Sequence, residues 1–249
     1  MVHFVGAGSG AKDLITVRGK KLLEKAEIVI YAGSLVNPEL LEYTSEQCLL
    51  YDSAKMTLED VLDVVNEHRE KDIVRLHTGD PSIYGAIREQ MDALDALGIE
   101  YDVCPGVSSF CGAAASLKME YTLPEVAQTV IITRMAGKTP VPPMEDISLL
   151  AEHHTTMVIF LSTGMLQELS QKLMQGGYPS DTPAAIVYKA TWPEEKIVHC
   201  TVATLAKAAQ ENEITKTALI LVGEFLGDVY ARSLLYHPEF TTAYREAKQ

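Results

Sequence analysis

Apolar and polar positions along the first hundred residues follow two periods in turn. Short apolar runs at 2–5, 27–31, 48–51, 72–77 and 100–104 have the length and composition of strands. Between them, segments 14–25, 57–69 and 83–97 repeat their apolar residues every three or four positions, which predicts helices. Thr57 stands where a hydroxyl accepts from the N–H three residues on, and Gly98 where a helix stops. Strand and helix in regular alternation predict an α/β fold built on a mainly parallel sheet with crossover helices.

The rhythm breaks over 118–127, a polar stretch containing Pro124. A lobe boundary is expected there, dividing the chain into residues 1–120 and 121–249. The second part predicts strands at 129–133, 157–161, 184–189, 196–201 and 218–222, with helices near 164–175 and 204–211. The runs at 184–189 and 196–201 are joined by a short turn through Thr191-Trp192-Pro193-Glu194, the signature of a hairpin, so this second sheet is expected to be mixed.

Composition narrows the class. Apolar residues make up 47% and charged residues 22% of 249, enough to bury a core and unlike a disordered chain. Net charge is −13, and such a surface repels phosphate backbones, which argues against general nucleic-acid binding and against an anionic membrane face. The four cysteines, Cys48, Cys104, Cys111 and Cys200, form no C-x-x-C pair, and the seven histidines show no metal spacing, so no metal site is expected. No signal peptide is visible and no apolar run is long enough to span a bilayer; a cytoplasmic protein is expected.

Three glycine-containing turns follow three strands of the first part: Gly6-Ala7-Gly8-Ser9-Gly10, Gly79-Asp80-Pro81-Ser82-Ile83-Tyr84-Gly85 and Pro105-Gly106-Val107-Ser108-Ser109. In a parallel sheet the carboxyl ends of the strands share one edge, where ligands bind, and glycine lets a backbone approach them. Gly6-x-Gly8-x-x-Ala11 fits a dinucleotide fingerprint, but the second strand ends Ile30-Tyr31-Ala32-Gly33 without the acid that ribose hydroxyls require. A phosphate-binding P-loop is excluded, since no Gly-Lys-Ser/Thr follows. Asp80 reads equally as a cap for the helix from Ile83 or as a ligand.

These turns, in this order and spacing, resemble the tetrapyrrole methylase family, and the resemblance covers nearly the whole chain. Leu14-Ile15-Thr16 matches the Leu-Thr segment that follows the family's first turn; Ser9 stands where a proline is usual, and Ala11-Lys12 where Asp-Pro is usual. Three further segments resemble the branch that methylates C-11 of precorrin-4, with or without cobalt. They are 31–36 (Tyr-Ala-Gly-Ser-Leu-Val), Thr133-Arg134 with 137–142, and 188–196 around Trp192.

The resemblance implies a two-lobed fold with the cofactor, S-adenosylmethionine, in a cleft between lobes, held by Ala7, Gly8, Thr78, Gly79, Asp80, Ile83, Tyr84, Ser108 and Ser109, and from later in the chain by Leu161, Ala190 and Thr191. Lys12, Arg134 and Lys138 are candidates for pairing with substrate carboxylates. Asp80 and His77 are catalytic candidates through position alone. The resemblance also implies a homodimer and a small tetrapyrrole substrate, with no nucleic acid, membrane or protein-bound metal. Other readings are a sister methyltransferase acting at C-17, at C-20 or at C-2 and C-7 of uroporphyrinogen III, a ribosomal-RNA methylase, and a non-catalytic nucleotide-binding module.

Overall fold

The computed structural model describes residues 1–247. The chain forms two compact units: Met1–Ala113 together with Lys189–Glu195, and Ala114–Tyr188 together with the chain from Lys196 onward.

The first unit is built on five parallel strands, β1 (Val2–Gly6), β2 (Ile28–Tyr31), β3 (Leu49–Asp52), β4 (Ile73–His77) and β5 (Tyr101–Cys104), in the order β3-β2-β4-β1-β5. Helices α1 (Val17–Lys25), α2 (Leu58–Glu67) and α3 (Ile87–Leu97) make the crossovers. The period-2 alternation of the strands sorts their side chains into two buried layers. Val5, Val29, Val74 and Leu76 join Leu23 of α1, while Val2, Phe4, Ile28, Ile30 and Ile73 join Val61 and Val65 of α2 and Leu94 of α3. Cover on both faces explains why the central strands β1, β2 and β4 read as mostly apolar runs.

The cap expected at Thr57 forms: its hydroxyl accepts from Asp60 N–H at 3.2 Å and Asp60 returns a bond to Thr57 N–H at 2.8 Å. Gly98 ends α3 in a left-handed conformation, φ 66°. Two helix starts differ from expectation. α1 begins at Val17, because the Thr16 hydroxyl accepts from Gly19 N–H and closes the N-terminus there. α3 begins at Ile87 rather than at 83, because the backbone turns through left-handed Tyr84 (φ 56°) and Ala86 (φ 49°) before a helix can propagate. A further helix, α4 (Ser109–Leu117), was not expected; its Ser-Phe-Cys-Gly-Ala-Ala-Ala-Ser-Leu sequence has no polar face to give a helical period.

The second unit holds a mixed sheet of β6 (Val130–Arg134), β7 (Thr156–Phe160), β8 (Pro183–Tyr188), β9 (Lys196–Thr201) and β10 (Ala218–Val222), ordered β6-β7-β10-β8-β9. Only β6 and β7 run parallel; β8 and β9 form the expected hairpin, with Tyr188 opposite Lys196. α5 (Ile147–Ala151), α6 (Leu166–Gln175) and α7 (Leu205–Glu211) pack on it around Met157, Ile159, Ile186 and Ile220. All four cysteines are free thiols. No helix among the described residues is long and apolar enough to cross a membrane, and no cluster of His, Cys, Asp and Glu among them could hold a metal ion.

Candidate functional site

The three glycine turns meet at the carboxyl ends of β1, β4 and β5, within the first unit. The first turn meets the second through backbone bonds. Gly8 N–H donates to Gly79 O at 3.2 Å and Gly79 N–H to Gly8 O at 2.9 Å, while Ala7 N–H donates to His77 O at 2.7 Å. A Cβ on Gly106 would stand 2.2 Å from Gly79 O, and one on Gly6 would stand 2.6 Å from the Gly106 backbone. These positions exclude any side chain because the turns touch, not because of a special conformation. Gly8 and Gly79 need glycine for the other reason, with φ of 85° and 62°.

Asp80 fastens the second turn to the third. Its Oδ2 accepts from Gly106 N–H at 2.8 Å; its Oδ1 accepts from Ser82 N–H at 2.9 Å and from the Ser82 hydroxyl. It therefore caps the turn at 81–84, not the helix that follows. Partial burial pushes its pKa up, but the Ser82 hydroxyl and the two N–H donors outweigh this and hold the carboxyl below its ordinary value. His77 is buried and its Nε2 has no partner. Burial, then the nearby Arg75 charge, push its pKa down to about 3, so the ring is neutral at physiological pH and weak as a base.

The segment 189–195 returns to this unit and grips the first turn. The Thr191 hydroxyl pairs with Ser9 Oγ at 3.0 Å and accepts from Ala11 N–H at 3.1 Å; Thr191 N–H donates to Glu195 Oε2. Asn37 Nδ2 donates to Gly10 O at 3.0 Å, and a Cβ on Gly10 would run into the Trp192 ring. Ser9, Asn37 and Trp192 were not among the expected site residues. Ser9, where a proline is usual, carried the one available signal: the departure supplies a hydroxyl that Thr191 uses.

Ala7, Gly8, Gly79, Asp80, Ser108 and the Ala190-Thr191 pair thus belong to one junction. Thr78 and Tyr84 are exposed on its edge, and Ile83 is partly buried. Lys12 also lies in this unit, but its Nζ is bonded to Glu42 and sits 4.6 Å over the Tyr43 ring, so a substrate carboxylate would compete with Glu42. Leu161, Arg134 and Lys138 lie in the second unit. Leu161 is 66% exposed in a left-handed conformation, φ 53°. The Arg134 guanidinium holds the carbonyls of Met135, Thr139 and Pro140, and Lys138 is exposed.

A surface made largely of glycine backbone, two serines and a threonine, with Thr78 and Tyr84 exposed on its edge, suits a ligand that is flat on one side and polar on the other. A purine nucleoside carrying an amino-acid tail is such a ligand. At the glycines no Cβ stands in the way of its approach, which is the fit S-adenosylmethionine requires.

Comparison with known proteins bears on the whole chain. The profile of the Tetrapyrrole (Corrin/Porphyrin) Methylases matches residues 1–206. The cobalt-precorrin-4 C(11)-methyltransferase of Methanocaldococcus jannaschii is 51% identical, with 99% of this chain and 96% of that protein covered. The precorrin-4 C(11)-methyltransferase of Mycobacterium tuberculosis is 42% identical over 94% of this chain and 95% of its own. An X-ray structure of a cobalt precorrin-4 methyltransferase superposes with a TM-score of 0.89 at 43% identity, covering 91% of this chain and 96% of the other.

Proposed function

The chain belongs to the tetrapyrrole (corrin/porphyrin) methylases, and from that premise we propose that it transfers a methyl group from S-adenosylmethionine to C-11 of cobalt-precorrin-4 or precorrin-4. The observation that carries the reading is the full-length likeness, at 51% identity, to a C-11 methyltransferase. The glycine-only junction of the three turns supports the cofactor.

Ala7, Gly8, Thr78, Gly79, Asp80, Ile83, Tyr84, Ser108, Ser109, Ala190 and Thr191 of the first unit would hold it. Bound there, S-adenosylmethionine supplies an electrophilic sulfonium methyl for an electron-rich ring carbon. The chain's own contribution is positioning. Backbone groups are fastened by Asp80, Thr191 and Asn37, and reactants aligned on them gain several kcal/mol or more, about 7–11 in the best cases. Neither His77 nor Asp80 is a base of useful strength, since one titrates near 3 and the other below an ordinary carboxylate. Both act by shape: His77 through the carbonyl that receives Ala7 N–H, Asp80 through its grip on Gly106.

Within this reading the protein is a cytoplasmic homodimer, and Lys12 of the first unit is a candidate partner for a substrate carboxylate. Incubation with cobalt-precorrin-4 and a carbon-13 methyl donor is expected to give one labelled methyl, placed on C-11 by its NMR couplings. A label on C-17, or preferential methylation of uroporphyrinogen III, would overturn the position while leaving the family intact.

A further inference from the structure

Within the first unit, a cavity of about 290 Å³ opens beside the carboxyl ends of β2 and β4, on the face covered by α2 and α3. Its wall carries Arg75 and His77, which share the face of Ile73 because they follow it at two-residue steps. Arg75 is 9% exposed. Its Nε donates to Gln90 Oε1 at 3.1 Å and its Nη1 to Ile30 O at 3.1 Å. Both acceptors are neutral, and among the described residues Arg75 has no ion-pair partner.

A buried guanidinium without a carboxylate is expensive and is ordinarily paired. Gln90 is where a partner acid would stand, and it is held in place by a second bond, Nε2 to Ala86 O at 3.0 Å. The sequence thus puts an amide where a carboxylate of the same shape would cancel the charge. One further feature adds to the positive field, and a second offers an uncharged polar atom. α3 starts at this cavity with no side-chain cap on its first N–H groups. His77, buried beside them, leaves Nε2 without a partner. The only acid on the cavity wall among the described residues, Glu89, is exposed to solvent.

We propose that Arg75 is a specificity-determining residue, kept uncompensated by Gln90 so that the cavity receives one carboxylate side arm of the tetrapyrrole. This rests on the tetrapyrrole reading above and names one recognition point within it. A cavity of about 290 Å³ is smaller than the roughly 300–1,000 Å³ that encloses a drug-sized ligand. In this proposal a side arm enters it and the ring stays outside. The anchored arm would set which pyrrole is turned toward the methyl donor.

The test replaces Gln90 by Glu, which keeps the side-chain shape and gives Arg75 an internal partner. Binding of a stable tetrapyrrole polycarboxylate, followed by its absorbance, is compared with binding of the same ring with its arms esterified, on the full chain. Wild type is expected to prefer the acid at least tenfold. Gln90→Glu is expected to lose most of that preference, with the ester and S-adenosylhomocysteine bound as before. Arg75→Met, folded as judged by S-adenosylhomocysteine affinity, should lose it likewise. Acid affinity within twofold of wild type in Gln90→Glu would overturn the inference while the functional reading stands. Wild type binding neither form would overturn both.

Discussion

β4 and β10 are both five-residue strands buried at every position, one in each unit. β10 reads Ala-Leu-Ile-Leu-Val and contributes only hydrocarbon; β4 reads Ile-Val-Arg-Leu-His and places a guanidinium and an imidazole on one face. Around β10, buried polar groups mostly close on backbone: Thr156 Oγ1 donates to Tyr121 O at 2.9 Å and Thr163 Oγ1 to Ala218 O at 3.2 Å, with the Thr182 hydroxyl the exception. Around β4, the charge of Arg75 and the Nε2 of His77 are left over. Equal burial therefore has two meanings. The first strand gives up some stability to keep polar groups available, and the second gives up nothing.

The comparison is sharpest in stability. Ile220→Ala removes a fully buried side chain of β10 and is expected to cost about 2–5 kcal/mol in urea unfolding, with unchanged activity per folded molecule. A cost under 1 kcal/mol would show that the second core collapses around the gap and is no better packed than the first.

Next in size is the glycine junction. Gly106→Ala sets a methyl 2.2 Å from Gly79 O, so the turns must part. S-adenosylhomocysteine affinity, measured by calorimetry, is expected to fall at least tenfold, about 1.4 kcal/mol. Unchanged affinity in a folded variant would mean that the junction ends strands and does not hold the cofactor.

The third effect is a slope. The unfolded chain protonates His77 near its ordinary value of 6.5, while the native ring resists until about 3. Between those values the unfolded state binds the extra proton, so this group's effect is absent above pH 6.5 and lowers stability as pH falls, by at most about 1.4 kcal/mol per pH unit. His77→Phe is expected to flatten the unfolding free energy against pH between 6.5 and 4.5 relative to wild type. Equal slopes in the two proteins would show that His77 is solvated in the native state.

Much of this was legible in the sequence. Strand positions in both sheets, the β8–β9 hairpin, the Thr57 cap and the three glycine turns were all readable, because each depends on neighbours within a few residues. Asp80 was readable as important and ambiguous as to role, since its decisive bond runs to Gly106, far along the chain. The start of α3 was misplaced because left-handed Tyr84 and Ala86 delay it, and neither residue type announces that conformation. α4 was missed because an apolar helix has no period to detect.

What the sequence determined by itself is the alternation of strand and helix, the acidic surface, and the glycines where side chains are excluded; these are properties of residue type and short spacing. Tertiary structure alone decided that Thr191 grips Ser9 across 182 positions, that Asp80 ties two turns together, and that Gln90 leaves Arg75 uncompensated. Hydrogen-bond partners and charge balance are set by distance in space, and the sheet's crossovers bring together residues whose separation along the chain carries no trace of their contact.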